Sequence, residues 1–197
     1  MFIALAIVLV LFVVAFVLFL VVLRKMTPET FQKLCEKKVR RFAKHHKLLA
    51  IEKLNILNYS RKRIDINHVV FGRKYIYIIT DLMLKGFVKG EVNDNSWVYF
   101  NKIEKKPEYI DNLGMDSDKN IQEFAGILGI NDDPIVAITL VPNECDFSIK
   151  QLGNDRKLVV HYSSLARKIK ECEKRPIGSL NKDQIYEQYN AIKERNR

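Results

Sequence analysis

The sequence predicts an α/β domain, a mixed β-sheet flanked by helices, preceded by a single N-terminal transmembrane helix. Three observations predict it. Phe2–Leu23 is an uninterrupted run of 22 apolar residues without charge or proline. Beyond it, short β-branched and aromatic runs alternate with segments whose apolar residues recur at helical spacing. Finally, "IVAITLV" (Ile135–Val141), bounded by Pro134 and Pro142, is apolar throughout except for Thr139. A strand carries such a run when both of its faces are covered.

At about 1.5 Å per residue the Phe2–Leu23 run reaches roughly 33 Å as a helix, enough to cross a hydrocarbon core. A cleaved signal peptide would have a basic segment before a shorter apolar core and a small-residue cleavage site after it. Neither pattern is present, so the run reads as a permanent anchor, residues 1–25, followed by a domain of residues 26–197. Arg24 and Lys25 close the span, and Lys33, Lys37, Lys38, Arg40, Arg41, Lys44 and Lys47 follow. Basic flanks stay on the cytoplasmic side. The expected placement is a single-pass protein of the cell membrane, N-terminus outside and domain in the cytoplasm. Cys35, Cys145 and Cys172 are few, odd in number and widely spaced, which fits reduced thiols and not a disulfide framework. In that compartment the Asn58-Tyr59-Ser60 glycosylation pattern has no role.

The net charge of +10 is localised. Residues 24–63 hold 13 Lys/Arg against 3 acids, and residues 64–197 hold 20 against 20. A basic juxtamembrane segment sets topology and meets anionic headgroups; the competing partner for such charge is nucleic acid. Composition rich in Lys, Ile and Asn hints at an AT-rich bacterial genome.

Along the domain, Thr27-Pro28-Glu29 has the form of a helix start: a capping hydroxyl, proline in the first turn and an acid near the positive end. Phe31, Cys35, Val39 and Phe42 then mark one apolar face of a helix reaching about His46. His45 and His46 are adjacent and do not share a face, which argues against a metal pair. "LNILNY" (Leu54–Tyr59), "IDINHVVFG" (Ile64–Gly72) and "YIYIIT" (Tyr75–Thr80) read as strands, the last two joined as a hairpin across Gly72-Arg73-Lys74. "GFVKGEV" and "WVYF" (Trp97–Phe100) read as two shorter antiparallel strands turning at Asn93-Asp94-Asn95. Helical spacing over Asp118–Leu128 ends at Gly129. After Ile135–Val141, Lys157–Tyr162 is a strand, and Ser164–Cys172 and Lys182–Arg195 are helices.

This order resembles the nuclease-related domain (NERD) family, a branch of the restriction-endonuclease-like fold. The family pattern runs from a helix with Gly-Glu, through an Ile-Asp-His strand, to a strand ending in Glu-x-Lys, then a glycine and a Trp-containing strand. Here Ile66-Asn67-His68-Val69-Val70 stands at the Ile-Asp-His strand, and Ile76–Leu82 at the Glu-x-Lys strand. Gly86, Gly90 and Trp97 stand at the family's glycines and tryptophan, and the likeness extends over roughly residues 33–197. It implies a restriction-endonuclease-like sheet whose site would hold Mg²⁺ on acids and orient water with a lysine.

Carried over position by position, the resemblance places Asn67 where the Asp belongs, Thr80 where the Glu belongs and Leu82 where the Lys belongs. Of the family's active-site residues, the resemblance finds only Glu36 matched, with Cys35 where the glycine would be. An amide and a hydroxyl are weak ligands for a hard cation, and a leucine is none. Relocated candidates are Asp65, two residues before Asn67 and so on its face, together with Asp81 and Lys85. Asp81 neighbours Thr80 and therefore points to the opposite face. The expectation is a degenerate site with no catalytic residues, no metal and no cofactor. The domain is then a binding or scaffold module, with the bilayer, its anionic headgroups, nucleic acid or a protein as partners. The alternatives are a membrane-tethered nucleic-acid binder, or a divergent Mg²⁺-dependent nuclease using the relocated acids.

Overall fold

A computed structural model describes residues 14, 16, 27–57, 63–91, 94–101, 106–111, 113–150, 156–175 and 180–196. Of the Phe2–Leu23 run only Val14 and Phe16 are among these, both helical; the rest of the run, Arg24, Lys25 and the Asn58 pattern lie outside the described residues. Among the described residues no helix is long and apolar enough to cross a membrane.

Helix α1 (Pro28–His46) starts as its sequence dictates. The Thr27 hydroxyl accepts from the Thr30 backbone N–H, and Pro28 occupies the first turn, where it has no bond to lose. Strands β1 (Leu49–Leu57), β2 (Arg63–Phe71) and β3 (Ile76–Asp81) follow as an antiparallel run. The β2–β3 turn is closed by the Gly72 N–H donating to the Tyr75 carbonyl at 2.8 Å. After β4 (Gly86–Glu91), β5 (Ser96–Asn101), β6 (Pro107–Asp111) and α2 (Leu113–Leu128) comes β7 (Ile135–Val141), which enters parallel to β3. The chain closes with β8 (Asp146–Lys150), β9 (Lys157–His161), one 3₁₀ turn, α3 (Leu165–Glu173) and α4 (Lys182–Arg195).

The first sheet has the order β1-β2-β3-β7-β9, mixed in direction. Helices cover both faces. Phe31, Cys35 and Val39 of α1 and Leu165, Ile169 and Cys172 of α3 pack with Tyr77, Ile79, Ile138 and Leu140. On the other face Phe124 and Leu128 of α2 and Ile185 and Ile192 of α4 pack with Ile66, Val69, Ile76 and Ile78. All seven residues of β7 are buried, as its composition requires.

A second sheet, β6-β5-β4-β8, corrects the expectation of one mixed sheet. The strand pair β4–β5 was legible, but β6 and β8 were not. Strand β6 begins with proline, and four of its five residues are exposed, so it lacks an apolar alternation. This sheet packs Val88, Trp97 and Tyr99 against Val141 at the end of β7 and Val159 of β9. The Trp97 indole donates to the Glu91 carbonyl at 2.9 Å, and its ring lies against Gly90. A Cβ at residue 90 would sit 2.6 Å from Trp97 Cδ1.

Lys53 interrupts β1 with φ 55, the left-handed region. The pairs Glu52–His68 and Leu54–Ile66 flank it, leaving Lys53 and Asn67 unpaired between them. Alternation breaks on both strands at this rung: Ile51 and Leu54 enter the same core, as do Ile66 and Val69. The strands change face together, so the register is kept.

Gly90→Ala is expected to destabilise the protein by about 1–3 kcal/mol, because the added methyl displaces a buried indole. Thermal unfolding followed by the fluorescence of Trp97, the single tryptophan, checks it. An unchanged midpoint would show that the indole is free to shift.

Candidate functional site

The face change at Asn67 decides what the strand pair presents. His68 is turned toward α1, onto the face that already carries Tyr77 and Ile79 of β3. Asp81 is two residues beyond Ile79 and so shares this face. Its carboxylate can only accept, so the imidazole donates from Nε2 to Asp81 Oδ2, at 3.0 Å. Both side chains are buried, 2% and 4% exposed. His68 Nδ1 has no hydrogen-bond partner among the described residues. The Cys35 thiol of α1 completes the group. Burial first, and then the negative charge of Asp81, push it far above its ordinary value, so it stays protonated and unreactive.

Beside this pair, Arg40 of α1 bridges two carboxylates. Its guanidinium donates to both oxygens of Glu52, at 2.8 and 2.6 Å, and to Glu36 at 3.0 Å. Glu52 is the residue paired with His68 across β1 and β2. The Arg40 hydrogen bond holds the Glu52 carboxyl below its ordinary value. Glu36, the position that the resemblance matched to an active-site acid, is therefore an arginine partner on α1.

The other sequence-identified positions are dispersed. Asn67 opens on two shallow clefts of about 210 and 200 Å³, the first shared with Gln32, Lys53 and Asp65, the second with Glu29, Gln32 and Asp81. Neither cleft is lined by Thr80 or Leu82. Thr80 lies beside Thr139 in the parallel register, with its neighbours Ile76 and Ile78 facing α2 and α4. Leu82 lies past the end of β3 and packs under the second sheet. Asp65 is 66% exposed and paired with Arg63 at 3.1 Å. Lys85 is exposed, and its carbonyl accepts from the Tyr99 hydroxyl.

The donor set does not fit a hard divalent cation. Asp81 offers a carboxylate, its Oδ2 bonded to an imidazole and its Oδ1 buried without a hydrogen-bond partner among the described residues, Asn67 offers an amide, and the hydroxyl of Thr80 belongs to the other face. Among the described residues no group of three or more His, Cys, Asp or Glu is placed to hold a metal. Comparison with family models, with curated proteins and with solved structures gave no match.

The basic residues of α1 separate into two sets. Arg40 is engaged as above, and Lys38 donates to the Ser163 carbonyl at 3.2 Å and lies 4.1 Å from the centre of the Tyr162 ring. Lys33, Lys37, Arg41 and Lys44 are exposed and spaced by four, four and three, one continuous stripe along the helix. Lys47, exposed at the helix C-cap, stands past its end.

His68 was not singled out in the sequence, although a signal was present. The Gly72–Tyr75 turn sets His68 opposite Ile79, and from there Asp81 is a diagonal neighbour within reach of a long side chain.

Asp81→Ala is expected to cost about 3 kcal/mol, because it leaves a buried imidazole without its acceptor. Asp81→Asn keeps an acceptor oxygen and is expected to cost less than half as much. Urea unfolding of the full chain in detergent checks both; equal, small losses for the two variants would show that the pair carries no stability.

Proposed function

We propose that this chain is a membrane-anchored, nuclease-related domain of restriction-endonuclease-like type that has no nuclease activity and works as a binding module at the cytoplasmic face of the membrane. The single observation that carries the loss of activity is the fate of the strand pair. Where the family pattern needs two acids and a lysine on one face, this chain has Asn67, Thr80 and Leu82, dispersed over two faces and a second core. The nearest buried carboxylate, Asp81, is held by His68. The element order supports the kinship: α1 with Glu36, the β2–β3 hairpin, Gly90 against Trp97, then α2 and the central β7.

Anchoring rests on the 22-residue apolar run. The surface that faces the partner is the stripe Lys33, Lys37, Arg41 and Lys44, which none of the domain's own acids neutralises by an ion pair among the described residues. Each such group near an anionic membrane contributes about 1 kcal/mol. We therefore favour anionic headgroups over nucleic acid as what this stripe meets, since it lies directly after the anchor in the chain.

The full chain in nanodiscs is expected to hold to vesicles containing phosphatidylglycerol much more strongly than to vesicles of phosphatidylcholine alone. Reversing all four stripe residues to Glu is expected to remove the preference, and duplex DNA added with Mg²⁺ is expected to be recovered uncut and unbound. Stripe-dependent DNA binding without vesicle binding would favour a tethered nucleic-acid binder. Cleavage abolished by Asp81→Ala would establish a relocated nuclease site.

A further inference from the structure

At the C-terminal end of α1, away from the strand-pair residues, two clefts of about 360 and 270 Å³ share His46, Leu48 and Arg73 as a common wall. The floor of the larger is apolar: Leu48, Leu49, Phe71 and Ile185, with the half-exposed ring of Tyr186 at its side. Its volume equals about a dozen water-sized groups and lies within the range of small-molecule sites.

The rim is cationic. Lys47, Arg73 and Lys182 border the larger cleft, and Lys170 and Lys174 border the smaller. The one acid in either lining is Glu173, and its carboxylate is already engaged. It accepts from the backbone N–H groups of Arg73 and Lys74 at 3.2 and 3.0 Å and from the Tyr77 hydroxyl at 2.8 Å. The field in the cleft is felt by His46. Burial, then the positive charge of Lys170, together with His45 and Arg73, push its imidazole below the ordinary 6.5.

An apolar floor under an unneutralised cationic rim has one complementary ligand chemistry. We infer that this cleft binds a free amphipathic oxyanion: an apolar body of about ten heavy atoms, lying on Leu48, Leu49 and Ile185, with a carboxylate or phosphate head between Arg73 and Lys182. The Arg73 guanidinium supplies a planar fork for such a head, and the Lys182 ammonium, 6.0 Å from the centre of the Tyr186 ring, supplies a second charge at the mouth. The ligand is a free molecule and not a bilayer lipid, because a cleft of about 360 Å³ holds an apolar body of about a dozen water-sized groups and not the two acyl chains of a phospholipid. The site is independent of the strand-pair reading, since it uses none of those residues.

The test is photolabelling of the full chain in phosphatidylcholine nanodiscs with 4-benzoylbenzoate, an apolar body carrying one carboxylate, read by peptide mass spectrometry. Label is expected on Leu48, Leu49, Ile185 or Tyr186, displaced by decanoate. The uncharged benzophenone and the double variant Arg73→Glu with Lys182→Glu are each expected to lower it by about tenfold, the effect of losing a charge-assisted contact. Both residues are exposed, so the variant should keep the wild-type melting temperature; if it does not, Arg73→Gln with Lys182→Gln serves, with a loss of about tenfold again expected on the same grounds. Label spread over other surfaces, equal labelling by benzophenone, or labelling unchanged in the substituted protein would overturn the inference. So would suppression by phosphatidylglycerol in the nanodisc without suppression by decanoate.

Discussion

Between the Glu52–His68 and Leu54–Ile66 pairs, β1 and β2 change face together, and most of the domain's chemistry depends on that rung. Below it, Ile64 and Ile66 feed the core under α2 and α4; above it, Val69 and Phe71 do so, while His68 and Val70 turn toward α1. A histidine placed under a helix needs a partner, and Asp81 supplies it from the adjacent strand β3. The same turn brings Glu52 to the edge where Arg40 holds it together with Glu36, so α1 is tied to the sheet by an ion cluster as well as by Phe31, Cys35 and Val39. With α1 fixed in this way, its basic stripe faces outward and its C-terminal end forms one wall of the cationic clefts.

The electrostatics of the Arg40 cluster also have a direction in pH. A carboxyl held below its ordinary value, as Glu52 is, contributes stability that is present above the unfolded value of 4.5 and lost as the pH falls through the lowered folded one. The contribution is modest, since Glu52 keeps 24% of its side-chain exposure and water screens the pair. Its larger effect is geometric: Glu36 and Glu52 are both drawn to one guanidinium and away from the clefts around Asn67.

Much of this fold was legible. The Thr27 cap and Pro28, the apolar spacing of Phe31, Cys35, Val39 and Phe42, the β2–β3 hairpin and the fully apolar β7 each have a local physical cause, and each stands where that cause puts it. The second sheet was half legible. Trp97 and Gly90 marked β4 and β5, but β6 is a short, exposed edge strand beside β5, and β8 is a short edge strand held by parallel pairing to β4, far earlier in the chain. The face change was not legible at all. A lysine in the left-handed region carries no glycine or asparagine signal, so a strict alternation of faces was the only available inference. That alternation correctly grouped Asp65 with Asn67, which share a cleft, and correctly set Asp81 opposite Thr80. It could not show that Asp81 and His68 meet beneath α1, where the pair serves packing.

In the proposed reading, the polar groups of the β2–β3 pair hold the fold and hold no cation. A crystal structure grown with Mn²⁺, read by the anomalous signal of the metal, tests it most directly. No ordered Mn²⁺ is expected within coordination distance of Asp81, with the His68–Asp81 hydrogen bond intact. An Mn²⁺ ion bound by Asp81 together with Asn67 or Glu29, with His68 turned away, would contradict it.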